Sequence, residues 1–323
     1  MANVAAGTLW NLPNYAGQLF TPSKVSTPFL DRISGAGDVN SPEFAMSSSY
    51  DMEAASQPAI TETASLTAPT AVSYVRSNEK NVAQIFQSKV SVSYANLSAP
   101  GRLTRIEVGT SGEAYDEFGN NPVANELAFQ TARHMDQMKM DMEYSFLNGS
   151  YQLATSAAVA FKTRGVITGS TTNTVAAGSV DITKAIMDSL FIKMADNGAF
   201  DQGGNHTIMC NSFNKTLLTD IYSYVPTDRN VGGSNITLIE TDFGFFEIVY
   251  VPRVPATTIG VFNMDKMAVA FQPVVGKPSG DDRVVLEPLA KTGAGEDWQL
   301  FSQAGIDYGS SYFHGTVTGT TSS

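Results

Sequence analysis

The chain has 323 residues, of which 42% are hydrophobic and only 16% charged, and it carries a net charge of −11. An average globular chain has about 25% charged residues, so this composition points to surface covered by partners, although Ser, Thr, Asn and Gly also stay in water. The acidic balance, with no Lys/Arg run longer than two, excludes a nucleic-acid module that relies on a basic patch.

Cys210 is the single cysteine and cannot form an internal disulfide, so the chain does not need an oxidising compartment. The start at Met1-Ala2-Asn3-Val4 has neither the basic beginning nor the apolar core of a secretory signal. No apolar run reaches the ~18 residues of a membrane span. The expectation is a chain made in the cytoplasm with no membrane partner.

Residues 1–40 scatter Leu9, Trp10, Leu12, Tyr15, Leu19, Phe20, Phe29, Leu30 and Ile33 among Pro13, Pro22, Pro28, Gly17, Gly35 and Gly37. That is too apolar for a disordered tail and too interrupted for a regular domain. It reads as an extended arm with one short helix at 27–33. Residues 43–52 then alternate, with Phe44, Met46, Ser48, Tyr50 and Met52 on one side, as a half-buried strand does. A polar bend follows through Pro58 and Pro69. Strand signals return over 71–95, where Val90, Val92 and Tyr94 share a face. An isolated hairpin is marginal in water, and no helix within 43–95 offers to cover this one. It therefore lies either on its own body or on another subunit.

A short strand is expected at 103–108. The spacing of Leu127, Thr131, Met135, Met138, Met142 and Phe146 then predicts a helix over 121–149, roughly 40 Å long. Asn121 and Pro122 supply its start and Gly149 a left-handed stop. Met140, Tyr144 and Leu147 widen its apolar side. Glu126, Arg133, Asp136, Lys139 and Glu143 are expected in water, with Asp136–Lys139 and Lys139–Glu143 at pairing distance.

Beyond it, Asp181 is expected to cap a helix from Ile182 to Asp196, with Ile186, Leu190 and Met194 on one face. Thr207 to Asn211 reads as a buried strand, and Ser212 as the cap of a helix carrying Phe213, Leu217, Leu218 and Ile221. Strands follow at 236–240 and 245–251, then around Val261 to Phe271, Val284 to Leu286 and Leu300-Phe301. This is mixed α and β without regular alternation.

Chemistry-bearing patterns are sparse. His134, His206 and His314 are far apart in sequence, with no ligand at metal-binding spacing. Cys210 sits in an apolar strand, where a buried inert thiol is expected. Asp281-Asp282 in a Gly/Pro-rich loop reads as a solvated bend. Neither a nucleophile elbow nor a phosphate-binding loop occurs. No catalytic residue, metal or cofactor is expected. A hydrolytic enzyme stays open as an alternative only because paired carboxylates are set by three-dimensional spacing.

Local phrases add to the order of parts: Asn125-Glu126-Leu127-Ala128-Phe129-Gln130 opens the long helix, and Leu147-Asn148-Gly149 closes it. Thr163-Arg164-Gly165-Val166-Ile167, Asn211-Ser212-Phe213-Asn214-Lys215, Leu289-Ala290-Lys291-Thr292-Gly293 and His314-Gly315 follow. With these phrases, the sequence of arm, long β-excursion, long helix and mixed α/β remainder resembles the major capsid proteins of tailed bacteriophages with the Hong Kong 97-like fold.

The resemblance implies an α+β fold with an N-terminal arm (1–40), an extended β-loop (41–98) and a peripheral domain (99–167) containing the spine helix (121–149). An axial domain (168–262) and peripheral return strands (263–323) complete it. It implies a structural protein that self-assembles, through hexamers and pentamers, into an icosahedral head around double-stranded DNA, without sequence-specific binding. The implied locations are the virion capsid and, for assembly, the host bacterial cytoplasm.

Portal, scaffolding and decoration proteins are the further partners implied. Because the chain runs from Met1 straight into the arm, scaffolding is expected to be separate or absent. Nothing marks Lys80 or Lys89 as a cross-linking residue. The expected inter-subunit contacts are Phe44, Met46, Tyr50, Met52, Val90, Val92 and Tyr94 on the loop, with Trp10 and Phe20 on the arm. The expected spine-helix core is Leu127, Met135, Met138, Met142 and Phe146. A nanocompartment shell of the same fold, holding a cargo enzyme, is the nearest alternative.

Overall fold

The computed structural model describes residues 21, 24–50, 52, 55–97, 126–201, 203–222, 237–278 and 282–322. Trp10, Phe20, the strand expected at 103–108, the helix start at Asn121-Pro122 and Asp281 lie outside the described residues.

A 3-10 turn at Leu30–Arg32 leads into β1 (Gly35–Asp38). β2 (Glu43–Tyr50), a single turn α1 (Glu62–Ser65) and β3 (Arg76–Val82) form a hairpin with a long connection. β4 (Gln84–Ser93), the short α2 (Tyr94–Leu97), the long α3 (Glu126–Asn148) and α4 (Val166–Gly169) follow. Then come β5 (Asn173–Val180), α5 (Lys184–Asp196), β6 (His206–Cys210), α6 (Ser212–Tyr222), β7 (Leu238–Thr241), β8 (Gly244–Tyr250) and β9 (Thr258–Asn263). β10 (Ala268–Phe271), β11 (Val284–Pro288), β12 (Gly295–Asp307) and β13 (Gly315–Thr320) end the chain.

Two sheets carry the body. The first is built on β12, whose 13 residues give it two long edges. β4 pairs along one, from Ser93 opposite Gly295 to Gln84 opposite Ala304. β11 and β10 pair in turn along the other, and β1 lies beyond β10. α3 covers this sheet, and its Phe146 ring meets Phe86 of β4 edge-on at 6.3 Å. Phe29, Met138, Met142, Leu300 and Ile306 share that core. The second sheet runs β5-β13-β9-β6-β8-β7. Met187, Leu190, Phe191 and Met194 of α5 pack on it against Ile208, Val261 and Val317. α5 approaches so closely that a side chain at Gly315 would run into Met194.

Several expectations are corrected here. β4, assigned to the extended loop 41–98, is a strand of the first sheet, because α3 supplies the cover that 43–95 lacks. Phe44, Met46, Val90 and Val92 are consequently buried in the chain's own body and are not free for a neighbouring subunit. The return strands expected together over 263–323 are divided: β10 to β12 join the first sheet, and β13 pairs with β5 and β9 in the second. On α3, Met138, Met142 and Phe146 are buried and Met135 packs at the core's edge, whereas Leu127 is half-buried and outside both apolar clusters.

Element ends also differ from the sequence reading. Gly149 ends α3 without a left-handed φ; it is required because a Cβ there would strike the Thr163 and Ser145 carbonyls. α5 is capped by Thr183, whose hydroxyl accepts from Ile186 N–H, while Asp181 accepts from the Thr321 hydroxyl. Asn211, one residue before Ser212, caps α6 by accepting from Asn214 N–H at 3.0 Å.

Candidate assembly surfaces

The C-terminal half of α3 presents one charged residue to the core. Glu143 lies three and four residues before Phe146 and Leu147, which puts it on their face, and its side chain is 0% exposed. The sequence reading placed it in water beside Lys139. In the structure its Oε1 meets Arg253 Nη1 at 3.0 Å, and its Oε2 accepts from Phe29 N–H at 3.2 Å and Leu30 N–H at 3.4 Å. Asp136 pairs instead with Arg133 at 3.1 Å.

Arg253 extends the network to the arm, donating to Ser26 O at 2.6 Å and Lys24 O at 2.7 Å. Its own carbonyl accepts from Asn148 at the end of α3. Burial raises the Glu143 carboxyl above the ordinary range, and the Leu30 N–H and Arg253 bonds oppose that rise. A second clamp joins Arg32 to Glu247 at 2.7 Å, in two parallel bonds. Together these contacts root the arm on α3 and on the turn after β8.

The β2–β3 hairpin has an equally firm root. The buried Asn81 donates to Ile306 O at 2.7 Å and Arg164 O at 2.9 Å, and accepts from Arg164 N–H at 2.7 Å. Glu43 takes bonds from Lys80 and Tyr151. A register shift between Ala45 and Ser48 inserts a bulge, which bends the ribbon.

Past that bend the character changes. Tyr50 is 64% exposed and Leu66 84%, and Met52, Ile60, Val72, Tyr74 and Val75 are likewise exposed. Among the described members of the expected contact set, Tyr50 and Met52 thus stand free. Tyr94 is partly engaged, accepting from Lys291 Nζ at 3.0 Å.

The other residues singled out from sequence are spread through the fold. His314 is fully buried, and burial holds it down at about 4. With its imidazole neutral, Nε2–H donates to Tyr308 O at 2.6 Å and Nδ1 accepts from Asn263 N–H at 3.3 Å. His206 is lowered by burial among Phe200 and Phe246. Burial pushes the Cys210 thiol up to about 12, which leaves no thiolate for chemistry. Among the described residues no three of His, Cys, Asp and Glu gather where a metal could sit, and no helix is long and apolar enough to cross a membrane.

The architecture is similar to that of solved capsid and encapsulin chains. A capsid subunit of cyanophage A-1(L) superposes with a TM-score of 0.64 at 12% identity, covering 97% of each chain. The capsid of cyanophage P-SCSP1u gives 0.56 at 8% identity over 97% of this chain and 93% of that one. The SrpI encapsulin of Synechococcus elongatus PCC 7942 gives 0.57 at 10% identity, over 97% and 94%. At such identities the likeness shows the shared Hong Kong 97-like fold. No curated protein sequence matches the chain significantly. The family model described as SU10 major capsid protein, however, matches residues 2–321. A chain whose two sheets, spine helix and projecting hairpin build the capsid fold, and which that model spans almost from end to end, belongs to the SU10 major capsid protein family and is a structural protein of a bacteriophage's icosahedral shell.

Proposed function

We propose that the exposed hairpin beyond the Ala45–Ser48 bulge is the limb by which each subunit holds the next, and that the arm of residues 1–40 reaches a further neighbour. The observation that carries this is the row of large apolar side chains in water: Tyr50, Met52, Ile60, Leu66, Val72, Tyr74 and Val75. Burying apolar surface contributes about 25 cal/mol per Å². Permanent interfaces run to ~2,000 Å² or more, against which ordering costs take back a large share. A limb fixed at its root and apolar at its tip spends little of that gain on ordering.

Copies joined this way form hexamers and pentamers and close into a head around double-stranded DNA. With a net charge of −11 the wall does not grip the phosphate backbone, which suits packaging by a motor. The chain carries out no catalytic step. Portal, scaffolding and decoration proteins are its further partners, and assembly takes place in the host cytoplasm. A cargo-holding compartment of the same fold is the alternative; an enzyme cargo inside purified particles, in place of DNA, would favour it.

The test is a chain carrying Tyr50→Asp and Met52→Asp, examined by electron microscopy and sedimentation. Folded subunits without particles are expected. A normal yield of particles would contradict the proposed contact.

A further inference from the structure

The cradle of Glu143 is built from donors alone. Phe29 N–H and Leu30 N–H meet its Oε2 at 3.2 and 3.4 Å, and Arg253 Nη1 meets its Oε1 at 3.0 Å. A carboxylate, which only accepts, satisfies all three. A neutral carboxyl does not, because its O–H would point at groups that offer it no acceptor. Arg253 depends on the same charge from the other side. Its side chain is 12% exposed and that of Glu143 0%, and a buried ion that loses its partner is costly to keep in place. Through its two bonds to the Ser26 and Lys24 carbonyls, one negative charge joins α3, the arm and the turn after β8.

We propose that Glu143 is a proton-operated latch: on taking one proton from water it releases Arg253 and, with it, the arm backbone from Lys24 to Pro28. Phe29 is the pivot, because its ring is fully buried and meets Phe262 edge-on at 6.4 Å without needing the charge. Arg32, held by Glu247 in a partly exposed pair, limits the release on the far side. The two sheets keep their own strand ladders and apolar clusters, so the latch opens without unfolding the body. It belongs to the single subunit and operates whether or not copies assemble.

Among the described residues, the titratable groups on the elements packed here are Lys24, Asp31 and Arg32 on the arm, Lys139 on α3, Tyr250 and Glu247 on β8, and Arg253 beyond it. Of these, Arg253 is the one whose charge is felt at the carboxyl. Burial raises that carboxyl above its ordinary range, outweighing the Leu30, Arg253 and Phe29 bonds that lower it. As the pH falls it therefore takes its proton before exposed carboxylates do. A raised value in the folded chain also means that this proton is bound more readily folded than unfolded, so mild acid opens the latch and spares the fold. His314 charges lower, at about 4.

The test is hydrogen exchange on the full chain as free subunits, at about pH 7.5 and at about pH 5, above the ordinary ~4.3 of a glutamate. Each rate is divided by that of an unstructured chain at the same pH. Protection of amides 25–30 is expected to fall about tenfold or more at the lower pH, while amides 300–306 of β12 keep theirs. Unchanged protection at 25–30, or a fall shared by 300–306, overturns the proposal.

Glu143→Gln, neutral at every pH, should show the low protection at both pH values. A Gln chain that responds to pH as the original does overturns the latch, because another group is then the switch. If that buried substitution prevents folding, Glu247→Gln decides. It cuts only the partly exposed pair with Arg32, so the fall at 25–30 must persist. Its loss there would assign the switch to Glu247 and overturn the assignment to Glu143.

Discussion

The junction at the end of α3 and the tip of the β2–β3 hairpin solve opposite problems. At the junction the Glu143–Arg253 ion pair is buried, and the arm backbone satisfies both partners from within the chain. At the tip, side chains that belong in a core stand in water. The first region is complete in a single copy; the second, on the proposed reading, is completed by neighbouring copies. If neighbours do cover the tip, the subunit is expected to fold without them, because its body is held by contacts within the chain.

The most damaging change to the completed region is Arg253→Ala. It leaves Glu143 buried and unpaired and should cost the free subunit about 3–5 kcal/mol, measured by urea unfolding; an unchanged midpoint would break the contrast at its stronger end. Acid probes the body next. Burial holds His314 at about 4, below the ~6.5 of an unfolded chain. Between those values the unfolded chain binds the extra proton, so stability is full above about 6.5 and falls as the pH drops towards 4, by roughly 3 kcal/mol. Asp307 and Glu143, both raised by burial, act in the opposite sense. The quantity to measure is therefore the difference between the unsubstituted chain and His314→Gln, and a difference that does not vary with pH would contradict the buried neutral imidazole.

A smaller effect is expected at the cap of α5, where Thr183→Ala should cost about 1 kcal/mol and Asp181→Ala less; the reverse order would restore the cap read from sequence. Smallest of all, Tyr50→Asp with Met52→Asp should leave the free subunit within ~0.5 kcal/mol of its original stability. A large loss there would mean that the hairpin tip belongs to its own body after all.

How far the sequence reaches follows from the range of the interactions involved. The spacing of Met138, Met142 and Phe146 exposed the spine helix, because a helix face is written within a few turns. The alternation at Val90 and Val92 showed a half-buried strand but not which element buries it, since α3 comes tens of residues later. β13 joining β5 is likewise a pairing of distant strands. Glu143 was misplaced because its partner lies 110 residues away. A signal was present, however, in a lone carboxylate on the face of Phe146 and Leu147. The caps at Thr183 and Asn211 were missed by one or two residues, where several polar side chains compete for the same backbone donors.

The most direct measurement compares side-chain oxidation by hydroxyl radicals in free subunits and in purified particles. Tyr50, Met52, Leu66 and Tyr74 are expected to react readily in the free subunit and to become protected in the particle, while Met142 and Phe146 stay protected in both. Hairpin residues that react equally in particles and in free subunits would contradict it.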